Sequence, residues 1–213
     1  MSDFAVLLGQ GGAVVSILVG LSVIALTVIL VKGWEFLRIR PLAESALDQA
    51  VDACVRRQTD RLPASSDPVA RLLHHMSNLP VSVPVGQLRA ESLRRAQQML
   101  GQLTGHLRIL EVIANVAPLL GLFGTVLGMI EAFQSMEAAG SQVDPAVLSG
   151  GIWQALLTTA VGLAVAIPVS MTYSWFERRA EVHAHRLHDA MERVFTRQAS
   201  HHEEVVLARP KAA

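Results

Sequence analysis

The chain has 213 residues, of which 51% are hydrophobic and 17% charged, and its 18 basic residues balance its 18 acidic ones. A mean hydropathy of +0.39 with the apolar residues gathered in blocks excludes an ordinary soluble domain of this length. The net charge of zero says nothing about partners, because the positions of the charges carry the information.

The first apolar block is Ala13 to Val31, "AVVSILVGLSVIALTVILV", 19 residues without a charge. At 1.5 Å per residue it is long enough to cross a hydrocarbon core of about 30 Å. The preceding "MSDFAVLLGQGG" has Asp3 as its only charge and no basic region, and the run exceeds the apolar part of a secretory signal, so a permanent first span is expected. The region from Lys32 onward carries mixed charges at helical spacing. Pro41 marks a kink or restart, "PASSDP" punctuates the chain, a short helix is expected around Val69 to Met76, and "SNLPVSVPVG" is the next break. From Gln87 the pattern predicts one uninterrupted helix through Arg108 into the second apolar block, as far as Pro118.

Val112 to Ile130 is the second span and Ile152 to Phe176 the third. Soluble core helices are seldom uncharged over such lengths, so burial inside a soluble domain is the weaker reading. Asp144 and Pro145 match an N-cap and a first-turn proline, which would start the third helix ahead of its apolar run. That helix is expected to continue through "ERRAEVHAHRLHDAMERVFTRQ", with a frayed tail from Ser200. All Lys and Arg fall between Lys32 and Arg108 or beyond Phe176, and none falls in the N-terminal stretch or between spans two and three. Basic residues stay in the cytoplasm, so the N-terminus is expected outside and the C-terminus inside. The expected organisation is a periplasmic 1–12, spans at 13–31, 112–130 and 152–176, cytoplasmic helical regions at 32–111 and 177–213, and a periplasmic 131–151. The fold class is all-α: a three-span membrane protein with long cytoplasmic helical extensions. The lone Cys54 lies in the cytoplasmic part and forms no intrachain disulfide.

Spans two and three share an unusual pattern. Gly121, Thr125, Gly128 and Ala132 fall on one helical face, and Ala155, Thr159, Gly162 and Ala166 repeat the spacing. Gly124 and Gly128 form a GxxxG pair, which lets helix backbones approach closely in lipid. Two readings stand on this spacing: a packing seam, or a smooth groove that admits water or another polar side chain. Span two runs outward and span three inward, which places Thr125 and Thr159 about 8 and 10 Å from the outer ends and so nearly level. Gln154 and Thr158 add polarity on a neighbouring face. A threonine can also satisfy its hydroxyl on its own helix. No Asp, Glu, Lys, Arg or His lies inside the three runs, and Glu111 and Glu131 sit at the two ends of span two. If protons move here, the titrating group within the membrane must come from another chain.

The stretches Ala117 to Phe133 and Gly150 to Pro168 resemble the two signature helices of the MotA/TolQ/ExbB proton-channel family, and "LLGQGGAVVSILVGLSVIAL" resembles its ExbB branch. The resemblance implies an inner-membrane homo-oligomeric ring, usually a pentamer, whose second and third helices line a lumen. That lumen would enclose single-span helices of an ExbD/TolR-type partner, each bringing a membrane aspartate, with a TonB-like transducer as a further partner. The transported ion would be H+, and the family's pore threonines fall on Thr125 and Thr159. One departure is Gln154, where the family commonly has glutamate; the amide keeps polarity and loses the titratable group. The function that the resemblance implies is a channel subunit of a proton-motive-force-driven motor, of the TonB type first, with a Tol-type envelope-integrity motor subunit or a non-conducting oligomeric membrane scaffold as the competing readings. His183, His185 and His188 are read as a solvated helical face rather than a metal site. Arg38, Arg40, Arg178 and Arg179 are read as interfacial anchors. No nucleotide, catalytic or nucleic-acid motif is visible, so no enzymatic activity, cofactor, metal or nucleic-acid partner is expected.

Overall fold

The structure, a computed structural model, describes residues 12–80, 84–139 and 145–207. Among the described residues six α-helices follow one another: α1 (Gly12–Arg38), α2 (Glu44–Val55), α3 (Pro68–Ser77), α4 (Val85–Thr104), α5 (Leu107–Ala139) and α6 (Pro145–Leu207), with a 3₁₀ turn at Thr59–Arg61. α1, α5 and α6 are long and apolar enough to cross a membrane. The expected N-cap Asp144 and residues 1–11 of the expected periplasmic N-terminus lie outside the described residues, and α6 begins at Pro145.

The described residues divide into two compact units. The first comprises α1 as far as Lys32, together with His106–Phe176; the second comprises Gly33–Gly105 and α6 from Glu177 onward. In the first unit Val14, Leu18, Ala117 and Ala166 are buried, with Leu120, Val161 and Val165 packed against them. Its outward side chains are large and apolar, among them Val23, Leu30, Leu122, Trp153 and Leu156, which is the inverse of a soluble surface and suits lipid or protein contact. Pro118 and Pro168 both lie inside their helices. Pro118 therefore does not end a helix; membrane helices tolerate proline where neighbouring groups take up the freed backbone.

The second unit is a small helical core. Leu47, Ala50, Val51 and Cys54 of α2, Val69, Leu72, Leu73 and Met76 of α3, and Ala96 and Met99 of α4 close around Leu187, Ala190, Met191 and Val194 of α6. The four α6 positions repeat at the three- and four-residue steps that keep one helical face inward. α2 stops in a Schellman arrangement: Arg57 sits at φ 55°, its N–H donates to Cys54 O at 3.1 Å, and Gln58 N–H donates to Ala53 O at 2.8 Å. α3 starts at Asp67, whose carboxylate accepts from Val69 N–H at 3.0 Å, with Pro68 in the first turn. Across the unit Arg197 bridges to Asp52 (2.6 Å) and Asp48 (2.8 Å), and Arg193 to Glu44 (2.6 Å) and Asp48 (3.2 Å).

Three sequence expectations change. The uninterrupted helix from Gln87 to Pro118 is broken: α4 ends at Thr104, Gly105 caps it, and His106 takes φ 68° before α5 begins. Gly105 itself keeps φ −52°, so the left-handed residue of the turn is His106; what glycine relieves at 105 is the close approach to the preceding turn, where a Cβ would stand 3.2 Å from Gly101 O. The tail expected to fray from Ser200 stays helical as far as Leu207. His183 is not part of a solvated face; it is 5% exposed, whereas His185 and His188 are exposed.

Candidate functional site: the paired small-residue helices

The small residues of α5 and α6 meet each other. A Cβ added at Gly121 would stand 3.1 Å from Thr158 O and Thr159 Cα, and one at Gly128 would stand 3.1 Å from Ala155 Cβ. A Cβ at Gly124 would stand 2.6 Å from Thr158 Oγ1, and one at Gly162 only 2.7 Å from Ala117 O and 3.0 Å from Gly121 Cα. The glycines are there because backbone lies against backbone, the close approach that substitutes for a hydrophobic drive between helices in lipid. Ala132, Ala155 and Ala166 are buried in or beside the same contact. Sequence reasoning missed Gly151, whose added Cβ would stand 2.5 Å from Ala132 Cβ. It lies four residues before Ala155, so the i, i+4 register held the signal.

Three hydroxyls converge on one turn of α5. Thr159 Oγ1 donates to Gly121 O at 3.1 Å across the helix pair, and Thr125 Oγ1 donates to Leu122 O at 2.6 Å within α5. Thr158 Oγ1 lies 2.7 Å from Ala155 O and 3.2 Å from Gly121 O; having one proton, it serves one acceptor at a time. Thr158 is buried at 3% exposure, so its hydroxyl belongs to the helix contact, while Thr125 and Thr159 are half-buried at its edge. Both spend their proton on a carbonyl and keep lone pairs for a donor. The face that is buried on α5 is therefore Gly121, Gly124, Gly128 and Ala132, with Thr125 beside it rather than in it.

The remaining predicted residues lie elsewhere. Gln154 is half-buried, and its Nε2 is the atom nearest a Cβ added at Gly12, at 3.9 Å, so it faces the start of α1. Glu111 and Glu131 are exposed near the two ends of the apolar stretch of α5. Among the described residues, the apolar stretches Val112–Ile130 and Ile152–Phe176 hold no ionisable Asp, Glu, Lys, Arg or His side chain. The site is thus a tight, charge-free helix pair with a small hydroxyl-bearing edge.

Three apolar helices of spanning length and this paired arrangement define a multi-pass α-helical membrane protein. Residues 69–203 match the family model described as the MotA/TolQ/ExbB proton channel family, and the chain belongs to that family. Its relatives include the putative biopolymer transport protein ExbB-like 1 of Synechocystis sp., 32% identical over 165 residues, covering 74% of this chain and 64% of the relative. The biopolymer transport protein exbB1 of Vibrio cholerae is 44% identical over 72 residues, 34% of this chain and 32% of the relative. The Tol-Pal system protein TolQ of Haemophilus influenzae is 34% identical over 105 residues, covering 49% of this chain and 45% of the relative. The matches thus span from 32% to 64% of these relatives' lengths. Family and spanning helices together make the chain a multi-pass inner-membrane protein.

Proposed function

We propose that this chain is the channel subunit of an inner-membrane motor driven by the proton motive force, working as a homo-oligomeric ring, with a pentamer as the expected state. The observation that carries the reading is that the Thr125 and Thr159 hydroxyls donate to carbonyls of adjacent α5 residues, Leu122 and Gly121, within apolar stretches that hold no Asp, Glu, Lys, Arg or His side chain. A pathway of that kind needs an acid from another chain, and an ExbD/TolR-type single-span partner with a membrane aspartate supplies one. The N-terminus lies outside and the basic regions lie in the cytoplasm, following the distribution of Lys and Arg. Each charge that crosses 100 mV releases about 2.3 kcal/mol, enough to bias a rocking or rotary step of the partner within the ring. The ExbB relatives are named for biopolymer transport and the TolQ relative for the Tol-Pal system; energisation of transport of the TonB type is the first reading, and a Tol-type envelope motor is the second. Gln154 then acts as a polar contact near the start of α1 rather than as a charged relay. No role beyond ion translocation is assigned to the chain, and no enzymatic step.

The test is proton flux into vesicles that hold the assembled complex, with the partner's membrane aspartate intact or changed to asparagine. Flux that needs both the partner and its aspartate supports the channel. A correctly assembled complex without flux favours a scaffold, and Gln154→Glu then asks whether the lost carboxyl is the reason.

A further inference from the structure

His183 is the one histidine among the described residues that is both buried and left with a buried ring nitrogen lacking a hydrogen-bond partner, Nδ1, without also making an ion pair. Its ring lies 6.4 Å from that of Phe36, near the end of α1. His183 stands one turn before Arg186 on α6, and the Arg186 guanidinium reaches Asp67 Oδ2, so Asp67, from the loop before α3, lies on the same side of α6 as the imidazole; the charges around the ring are this carboxylate with Arg179 and Arg186 of its own helix, and Phe36, the ring it meets on α1, is uncharged. Asp67 is fully buried and already committed. Its Oδ1 accepts from Val69 N–H at 3.0 Å, its Oδ2 accepts from Leu42 N–H at 2.6 Å, and Arg186 stands 3.9 Å from Oδ2. Arg186 also donates to Leu42 O, and Ser66 Oγ donates to Arg38 O at 3.0 Å. The short segment that follows α1 is therefore tied by its backbone to Ser66, Asp67 and Arg186.

We propose that His183 and Asp67 form an acid-sensitive latch on this segment: a proton taken up at His183 Nδ1 creates a cation that competes with Leu42 N–H and Arg186 for the Asp67 carboxylate, and the segment after α1 is released. The competition is one of supply. A carboxylate that already holds two backbone N–H groups and a guanidinium meets a new charged donor only by giving up a bond, and a buried cation without a partner is costly. Burial, reinforced by the two arginines against the opposing pull of Asp67, holds the His183 pKa below its ordinary value. The sign follows. Above about pH 6.5 the imidazole is neutral whether the latch is closed or open, and the latch keeps its full stability. As pH falls below that value the open form takes the proton first, so opening is favoured by up to about tenfold per pH unit until the closed form also titrates. Conduction is not required, so the latch stands or falls separately from the proposed motor.

The experiment is amide hydrogen exchange of the full chain in nanodiscs between pH 7.5 and 5.5, corrected for the intrinsic pH dependence of exchange. The expected result is that the Leu42 and Val69 amides lose protection several-fold more than amides of the α2 and α3 cores, and that His183→Gln abolishes this loss. Equal loss in His183→Gln overturns the proposal and passes the effect to His74, His75, His185 or His188; absence of any loss in the parent chain overturns it outright. If His183→Gln does not fold, NMR titration of the imidazole in the parent chain decides: a midpoint below about 6.5 is expected, and one at or above it sinks the latch.

Discussion

Alanine at position 162 tests the helix contact most directly. The added Cβ would stand 2.7 Å from Ala117 O and 3.0 Å from Gly121 Cα. Both are backbone atoms, so no rotamer relieves the clash. Ordinary separation is about 3.5 Å, so α5 and α6 must part locally by about 0.5–0.8 Å. A gap of that size forfeits a quarter to a half of each dispersion contact beside it, and those include Gly121 with Thr159, Gly124 with Thr158 and Gly128 with Ala155. Overpacking of this type costs about 1–3 kcal/mol, from which alanine's better helix propensity returns at most about 1. The expected net loss is about 1–2 kcal/mol, five- to thirtyfold in the unfolding equilibrium. Gly20→Ala is the control, since a Cβ there meets nothing within 4 Å, and it should be neutral or slightly stabilising. Reversible unfolding of the two variants in mixed micelles, titrated with denaturing detergent, makes the comparison. Equal midpoints for Gly162→Ala and Gly20→Ala would refute the backbone-contact reasoning.

Two further outcomes concern the second unit. Arg197→Ala removes bonds to Asp52 and Asp48 that are partly open to water, so a loss of about 1 kcal/mol at low salt is expected, shrinking at 1 M salt where screening acts within about 3 Å; melting curves at both ionic strengths check it, and a salt-independent loss would count against the ion pairs. Cys54 is buried with Sγ 3.5 Å from Leu73 O, and burial pushes its pKa up to about 11 against the opposing pull of Arg57. Its thiolate fraction near pH 8 is therefore about a hundredfold below that of a free thiol, rising as pH climbs toward 11. Thiol labelling of the native protein should be correspondingly slow and become fast in denaturant, and rapid native labelling would contradict the packing around α2 and α3.

The sequence carried the three long apolar helices because their lengths and lack of charge leave few alternatives, and it carried the small-residue register on α5 and α6 because helical spacing is arithmetic. It left open which partner those faces would meet. Spacing places Gly121 and Thr125 on one stripe, but a stripe is wide, and only packing shows that Gly124 is inside the contact with Thr125 at its edge. Thr158 and Gln154 looked like neighbours on one polar face, yet one hydroxyl is sealed between helices and the other side chain turns toward Gly12. The break at Gly105–His106 was legible from the glycine and was outweighed by the apolar pattern on both sides. His183 was not legible, because three histidines close together in a charged helix look alike until the fold buries one.

The α5–α6 contact also limits what can move. Two helices whose backbones touch at Gly121 and Gly162, with Thr158 lodged against Gly124, have no room to slip past one another or to turn about their own axes. Kinematically they count as one element, and any working stroke inside the membrane has to be sought in displacements of the pair as a whole or of whatever it surrounds.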